Sequence, residues 1–317
     1  MHDPRGLFTG LIGDGRPLLT LTAIALFFAG AFAVFLSATG QFLPHDTDFL
    51  QLSARDLCAY ADCQIVAFMF HDRVAFGGSL LAVAVLYLWL SAFPLREGEA
   101  WAWWTFAISG SLGFLSFLAY LAYGYLDTWH GIGTLFLMPC FVLGLVRSRE
   151  TLSEPRGLAS IRIAASRNTA PGTARAGRMI LLATAGGMIL AGATILVVGM
   201  TAVFVPQDLA FMGLDRDAVL AIHPRLIPLI AHDRAGFGGG LASAGIVVGM
   251  CVYCGRPSVS LWQALLLAGI AGFGCAIGVH YRVGYTDPGH LGPALAGAAM
   301  FAAGITMTYR SMVHPTS

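Results

Sequence analysis

Lysine is missing altogether: every one of the 18 basic residues in this 317-residue chain is an arginine. With 39 glycines and abundant alanine alongside, this reads as compositional bias and not as chemistry. Charge is scarce too. Only 11% of residues are charged, against about 25% in a soluble domain. The arginines are dispersed or gathered in one linker, so the chain offers no basic face for a nucleic acid. It also lacks a phosphate-cradling Gly-rich loop, an H-E-x-x-H zinc helix and a G-x-S-x-G nucleophile elbow.

What the chain has in quantity is apolar length. It is 57% hydrophobic, and runs of 18 or more residues with almost no charge recur along it. Such runs are the mark of transmembrane helices. They predict an all-α, polytopic integral membrane protein with eight spans. The first four are Pro17 to Thr39, Ile65 to Phe93, Trp101 to Tyr123 and His130 to Val146; the rest are Met179 to Phe204, Leu226 to Cys254, Leu261 to Val283 and His290 to Tyr309. The first span exceeds the 7–15 apolar residues usual in a signal peptide and has a counterpart in the fifth, so it is expected to stay in the membrane.

Arginine counting sets the expected orientation. With the N-terminus in the cytoplasm, that side receives Arg5, Arg16, Arg96, Arg256, Arg310 and the linker arginines Arg147, Arg149, Arg156, Arg162, Arg167, Arg175 and Arg178. The other side keeps Arg55, Arg216, Arg225 and Arg282. Both termini are therefore expected inside a bacterial cytoplasmic membrane. The linker, 147–178, has little apolar periodicity and reads as a flexible tether.

On either side of it, 1–146 and 179–317 read as copies. FLPHDTDFLQLSARDL from Phe42 matches FVPQDLAFMGLDRDAV from Phe204, HDRVAFGG at His71 matches HDRAGFGG at His232, and GYLDTWH at Gly124 matches GYTDPGH at Gly284. Four spans per copy, an even number, predict two tandem, parallel four-helix repeats. Apolar residues drift between the copies. The polar ones that persist, including Pro44/Pro206, Asp46/Asp208 and Arg55/Arg216, all fall on the outer side of this topology.

Two recurring motifs carry the candidate chemistry. His71-Asp72-Arg73 and His232-Asp233-Arg234 stand one to two turns inside long spans, where an ionisable group costs about 2.5–3.5 kcal/mol at the helix centre and less near the interface. Either they knot helices together or they form a site. The glycines that follow, with Gly236 and Gly240 four apart, favour close helix packing. Asp127 with His130, and Asp287 with His290, are spaced to share a helical face, although each aspartate also suits an N-cap. In an up-and-down unit each half would fold its own Asp-x-x-His turn over its own triplet. Arg73 would then pair with Asp127 or Asp72, and Arg234 with Asp287 or Asp233.

Three ligands suit this set. A divalent metal could take imidazole and carboxylate, with His232 and His290 as candidate ligands. Haem b could sit between His71 and His130 or between His232 and His290. A small molecule or ion could use the His/Asp relays. His280, present only in the second half, adds to the candidates there. Cys58 and Cys63 of the first outer loop are expected to form a disulfide, while Cys251 and Cys254 suit packing. Trp101, Trp103 and Trp104 read as an interfacial belt. The expected partners are the bilayer and either other subunits of a membrane complex or further copies of the chain. The expected function is an outward-facing His/Asp/Arg site in a redox protein or metal-dependent enzyme, with a permease and a structural subunit as alternatives.

Overall fold

The computed structural model describes residues 6, 10, 12–125, 128–168 and 172–314. It is 83% helix, and no strand occurs among the described residues. Eight helices are long and apolar enough to cross a membrane. In chain order the helices are α1 (Arg16–Ala38), α2 (Pro44–Leu50), α3 (Ala54–Leu57), α4 (Gln64–Ala92) and α5 (Ala100–Phe117). Next come α6 (Thr128–Ile132), a π turn (Gly133–Leu137), α7 (Met138–Ser148) and α8 (Ala159–Arg167). The remainder are α9 (Gly172–Met200), α10 (Pro206–Met212), α11 (Arg216–Ile222), α12 (Leu226–Cys254), α13 (Val259–Val283) and α14 (Pro288–Val313).

The two helices carrying the His-Asp-Arg triplets are the centre of the molecule. In α4 and α12, 67% and 78% of the most apolar stretch is buried, against 17–29% in the other six spans. They cross each other, α4 lying against α1 and α13 and α12 against α9 and α5. Glycine sets how close these packings come. A Cβ on Gly77 of α4 would stand 2.8 Å from the Gly30 carbonyl of α1, and one on Gly238 of α12 would stand 2.7 Å from the Gly192 carbonyl of α9. Both fall inside any normal contact, so a side chain there would force the helices apart. Gly236 and Gly240 face the Phe76 ring instead.

The third spans depart from the up-and-down expectation. α5 packs on α12 and α13 packs on α4, while α4 barely touches α5. Each therefore lies against the central helix of the other half of the chain, and the turn that follows it is delivered there too. Hydropathy orders spans along the chain but does not choose their neighbours, which is why this exchange escaped the sequence reading.

The linker is more than a tether. It holds α8, and the Asn168 side-chain amide donates to the carbonyls of Val252 (3.0 Å) and Gly255 (2.8 Å) at the end of α12. Arg178 donates to the Tyr253 carbonyl (2.8 Å). Trp101 and Trp103 are buried and form no belt, the Trp103 indole donating to the Leu145 carbonyl (2.8 Å). Cys251 and Cys254 are buried.

Candidate metal centre

Short helices close over the triplet ends of α4 and α12. Pro44 and Pro206 start α2 and α10, where a fixed φ and a missing N–H suit the first turn. Three positions into each, an aspartate turns back to accept from the backbone: Asp46 from Leu43 N (3.1 Å) and Asp208 from Val205 N (2.7 Å). Phe42, Leu50, Leu57, Phe204, Met212 and Val219 pack beneath them in an apolar layer that shields the triplets.

Inside this cover each of the two arginines pairs with two carboxylates. Arg73 Nη1 lies 2.7 Å from Asp46 Oδ2, and its Nε donates to Asp233 Oδ2 at 2.9 Å. Arg234 Nη1 donates to Asp208 Oδ2 at 2.6 Å, and its Nε donates to Asp72 Oδ2 at 3.1 Å. Each guanidinium also sits over an aromatic face, Arg73 over Phe42 at 5.3 Å and Arg234 over Phe68 at 4.8 Å. The remaining oxygens of Asp46 and Asp208 accept from Tyr125 (2.5 Å) and Tyr285 (2.9 Å). Burial first, and then the neighbouring carboxylate, push both phenol pKa values upward, so these tyrosines stay protonated donors.

The expected partners are thus corrected. Each arginine pairs with the loop aspartate of its own half and with the triplet aspartate of the other half; neither Asp287 nor the adjacent aspartate is its partner. Asp287 instead caps α14, accepting from His290 N at 3.1 Å. Asp127 lies outside the described residues.

The histidines gather in two groups, each spanning both halves. His71 of α4 meets His280 near the end of α13 and His290 in the first turn of α14, all three ligand atoms lying within 4.8 Å of one another. His232 of α12 meets His130 of α6, Nε2 to Nε2 at 3.0 Å, and the His130 ring lies edge-on to His45 of α2 at 5.5 Å. The pairs proposed for haem or metal, His71 with His130 and His232 with His290, are therefore split between groups. Trans imidazoles on one iron hold their nitrogens roughly 4 Å apart, twice a metal–nitrogen bond, whereas these nitrogens face each other at 3.0–3.1 Å.

The first group's tautomers can be assigned. His280 Nδ1 lies 2.6 Å from the Ala276 carbonyl, which can only accept, so Nδ1 carries a proton. His71 Nδ1 lies 3.0 Å from Asp72 Oδ1, whose other oxygen accepts from Arg234, and donates to it as well. When neutral, each ring presents a bare lone pair on Nε2, and these two atoms are 3.1 Å apart. Two lone pairs so close repel unless a cation lies between them, either one proton shared as an N–H···N hydrogen bond or a metal ion. A tetrahedral metal with bonds of about 2.0–2.1 Å would separate two nitrogens by about 3.3 Å. His290, the half-buried member, completes a three-imidazole set. The carboxylate on His71 and the carbonyl on His280 are the outer partners that orient metal-bound histidines.

Sequence reasoning missed His45, because the aligned position in the second half is Gln207. It also missed Tyr125 and Tyr285, although both lie within the matched GY segments. Cys58 and Cys63 are joined by a disulfide just before α4. Comparison with known protein families, with characterised proteins and with solved structures finds no match to this chain.

Proposed function

We propose that this is a multi-pass protein of a bacterial cytoplasmic membrane that binds a divalent transition-metal ion through His71, His280 and His290 at the outer ends of its spans. The observation that carries this reading is the gathering of three histidine ligand atoms within 4.8 Å of one another, with His71 and His280 holding their Nδ1 atoms on Asp72 and the Ala276 carbonyl and turning Nε2 towards each other at 3.1 Å. Imidazole-only ligation suits zinc, copper, nickel or iron and disfavours calcium and magnesium, which take oxygen. Three protein ligands also leave a fourth coordination position for water or substrate, as in catalytic zinc sites.

The architecture supporting the site is two tandem four-helix repeats with exchanged third spans, both termini cytoplasmic. The arginine-rich linker supports that orientation. A carrier is less well supported: beyond the triplets, the rest of α4 and α12 is almost wholly apolar, with only the Ser79, Tyr87, Ser91, Ser243 and Tyr253 hydroxyls. A structural role is favoured by one observation, the pairing of both arginines with two carboxylates each.

The test is zinc binding to the purified full-length protein after chelator treatment, read by elemental analysis. Bound zinc that His71→Ala and His290→Ala each reduce supports the metal reading. Absence of bound zinc, copper, nickel and iron after loading would leave the structural role. Reporter fusions near Ala165 should report cytoplasm and fusions near Asp48 the outside; the reverse pattern would turn the site inward.

A further inference from the structure

α1 and α13 both pack along α4, but at most isolated contacts join them to each other. A groove of about 680 Å³ is left between them, lined by all three helices. That volume falls in the range of roughly 300–1,000 Å³ usual for ligand sites. The duplication does not account for it. Between the matched pairs Gly113/Gly272 and Gly124/Gly284, the second half reads FGCAIGVHYRV and the first reads FLSFLAYLAY, with no glycine and no arginine.

The groove has a polar rim and an apolar foot. Asp62 in the turn before α4, Gln64 at the start of α4 and Arg282 near the end of α13 stand at the rim, on the end of the bundle that carries the triplets. Val74 and Ile270 line the foot. Ile270 and Arg282 lie about 18 Å apart along α13, at 1.5 Å per residue. One leaflet of a bilayer offers a hydrocarbon depth of about 15 Å, half of the full core. The wall between is bare: a Cβ on Gly274 or on Gly278 would meet nothing within 4 Å.

The rim also selects by charge. Asp62 and Arg282 are exposed, and neither has an ion-pair partner among the described residues. Gln64 Oε1 is buried with no hydrogen-bond donor. One guanidinium, one carboxylate and one acceptor that needs a donor suit a headgroup carrying both signs. Its phosphate would accept charge-assisted bonds from Arg282. A primary ammonium, with three N–H donors, would serve Asp62 and Gln64 together. A choline headgroup has the cation but no N–H, and an anionic headgroup meets the Asp62 carboxylate with nothing to offset it.

We propose that this groove binds one glycerophospholipid with a phosphoethanolamine headgroup, the phosphate on Arg282, the ammonium at Asp62 and Gln64, and an acyl chain along Gly274 and Gly278. The site is independent of the metal reading. The test is native mass spectrometry of delipidated full-length protein in detergent, titrated with palmitoyl-oleoyl phosphatidylethanolamine and, separately, with the phosphatidylglycerol and phosphatidylcholine of the same chains. One phosphatidylethanolamine per chain should bind more tightly than either of the others. Arg282→Gln should weaken it about tenfold, the loss of a charge-assisted contact. Asp62→Asn should remove the preference over phosphatidylcholine, and Gly278→Leu, which fills the wall, should abolish tight binding. The charged positions are exposed and the glycine borders open space, so each variant should keep the wild-type melting temperature in lipid-free detergent.

Equal binding of the three lipids would overturn the site, as would phosphatidylethanolamine binding that Arg282→Gln or Gly278→Leu leaves unchanged. Tighter binding of phosphatidylglycerol, lost in Arg282→Gln, would overturn the headgroup assignment in favour of an anionic lipid.

Discussion

Arg73 and Arg234 hold the same place in the same triplet, yet their surroundings are unequal. Arg234 bonds to two carboxylates and, in addition, to the Val203 carbonyl at 2.7 Å. Its partner Asp72 is buried and also holds His71. Arg73 has two carboxylates and no main-chain acceptor among the described residues, and its Nη2 is buried without a hydrogen-bond acceptor. Its partner Asp233 retains 13% side-chain exposure. A repeated sequence does not guarantee a repeated environment. The surroundings are set by the loops and spans that other parts of the chain bring to the triplet.

The sharpest way to break this comparison is to delete each arginine. Losing one partner of a buried ion pair typically costs about 3–5 kcal/mol, because the other charge stays buried. Arg234→Ala strands Asp72 and Asp208, both buried, and should fall at the upper end of that range. Arg73→Ala removes a less satisfied group and strands one buried carboxylate, Asp46, and one partly exposed, Asp233, so its cost should be smaller. Thermal unfolding of both variants in one detergent checks the order. Equal losses would show that the extra carbonyl and the deeper burial carry no weight.

The tyrosines sharpen the same comparison at lower cost. Tyr285 donates to the carboxylate that holds Arg234, and Tyr125 to the one that holds Arg73. A hydrogen bond to a charged group contributes about 1.5–3 kcal/mol, so Tyr285→Phe and Tyr125→Phe should each lower stability by an amount of that order. Both phenols titrate above the usual value when folded, their burial and the nearby carboxylate favouring the protonated form. A group whose pKa is raised by folding contributes fully below its unfolded pKa, near pH 10, and the contribution erodes as pH rises beyond it. The wild type should therefore lose melting temperature above about pH 10 more steeply than a variant with both tyrosines replaced. Parallel pH profiles would refute the role of the phenols.

These contacts also show what the sequence could and could not reveal. Eight apolar runs and two His-Asp-Arg triplets are visible because burial demands long uncharged stretches, and ionisable interruptions stand out against them. Asp46 and Asp208 could be noticed because both copies keep them, but nothing in hydropathy says that they receive the arginines. His45 was hidden for the opposite reason: the comparison of halves favours what recurs, and at that position glutamine replaces histidine. The exchange of α5 and α13 between central helices is tertiary information. It decides which histidines meet, and so it is where the expected pairings fail. Trp103 was misread because its indole finds a carbonyl in α7 inside the bundle, whereas a belt residue would leave it at the interface.

The smallest expected effect comes from the one covalent difference between the two covers. Cys58 and Cys63 close a loop ahead of α4, and the second half has no cysteine in the corresponding segment before α12. A loop this short restrains few unfolded conformations, so the bond should contribute less than the roughly 3 kcal/mol expected for a 15-residue loop. The arginines below it are held by ion pairs, and α4 is held along its length by α1, α12 and α13. Replacing both cysteines by serine should therefore leave the melting of the membrane core almost unchanged. Faster hydrogen exchange should be confined to residues 53–64 of the first cover, with residues 206–222 of the second unaffected. Mass spectrometry of protein isolated without reductant should find both thiols bonded. If the double variant instead loosened residues 44–50 and lowered the melting temperature of the membrane core, the first cover would depend on its disulfide for a job that the second does without one.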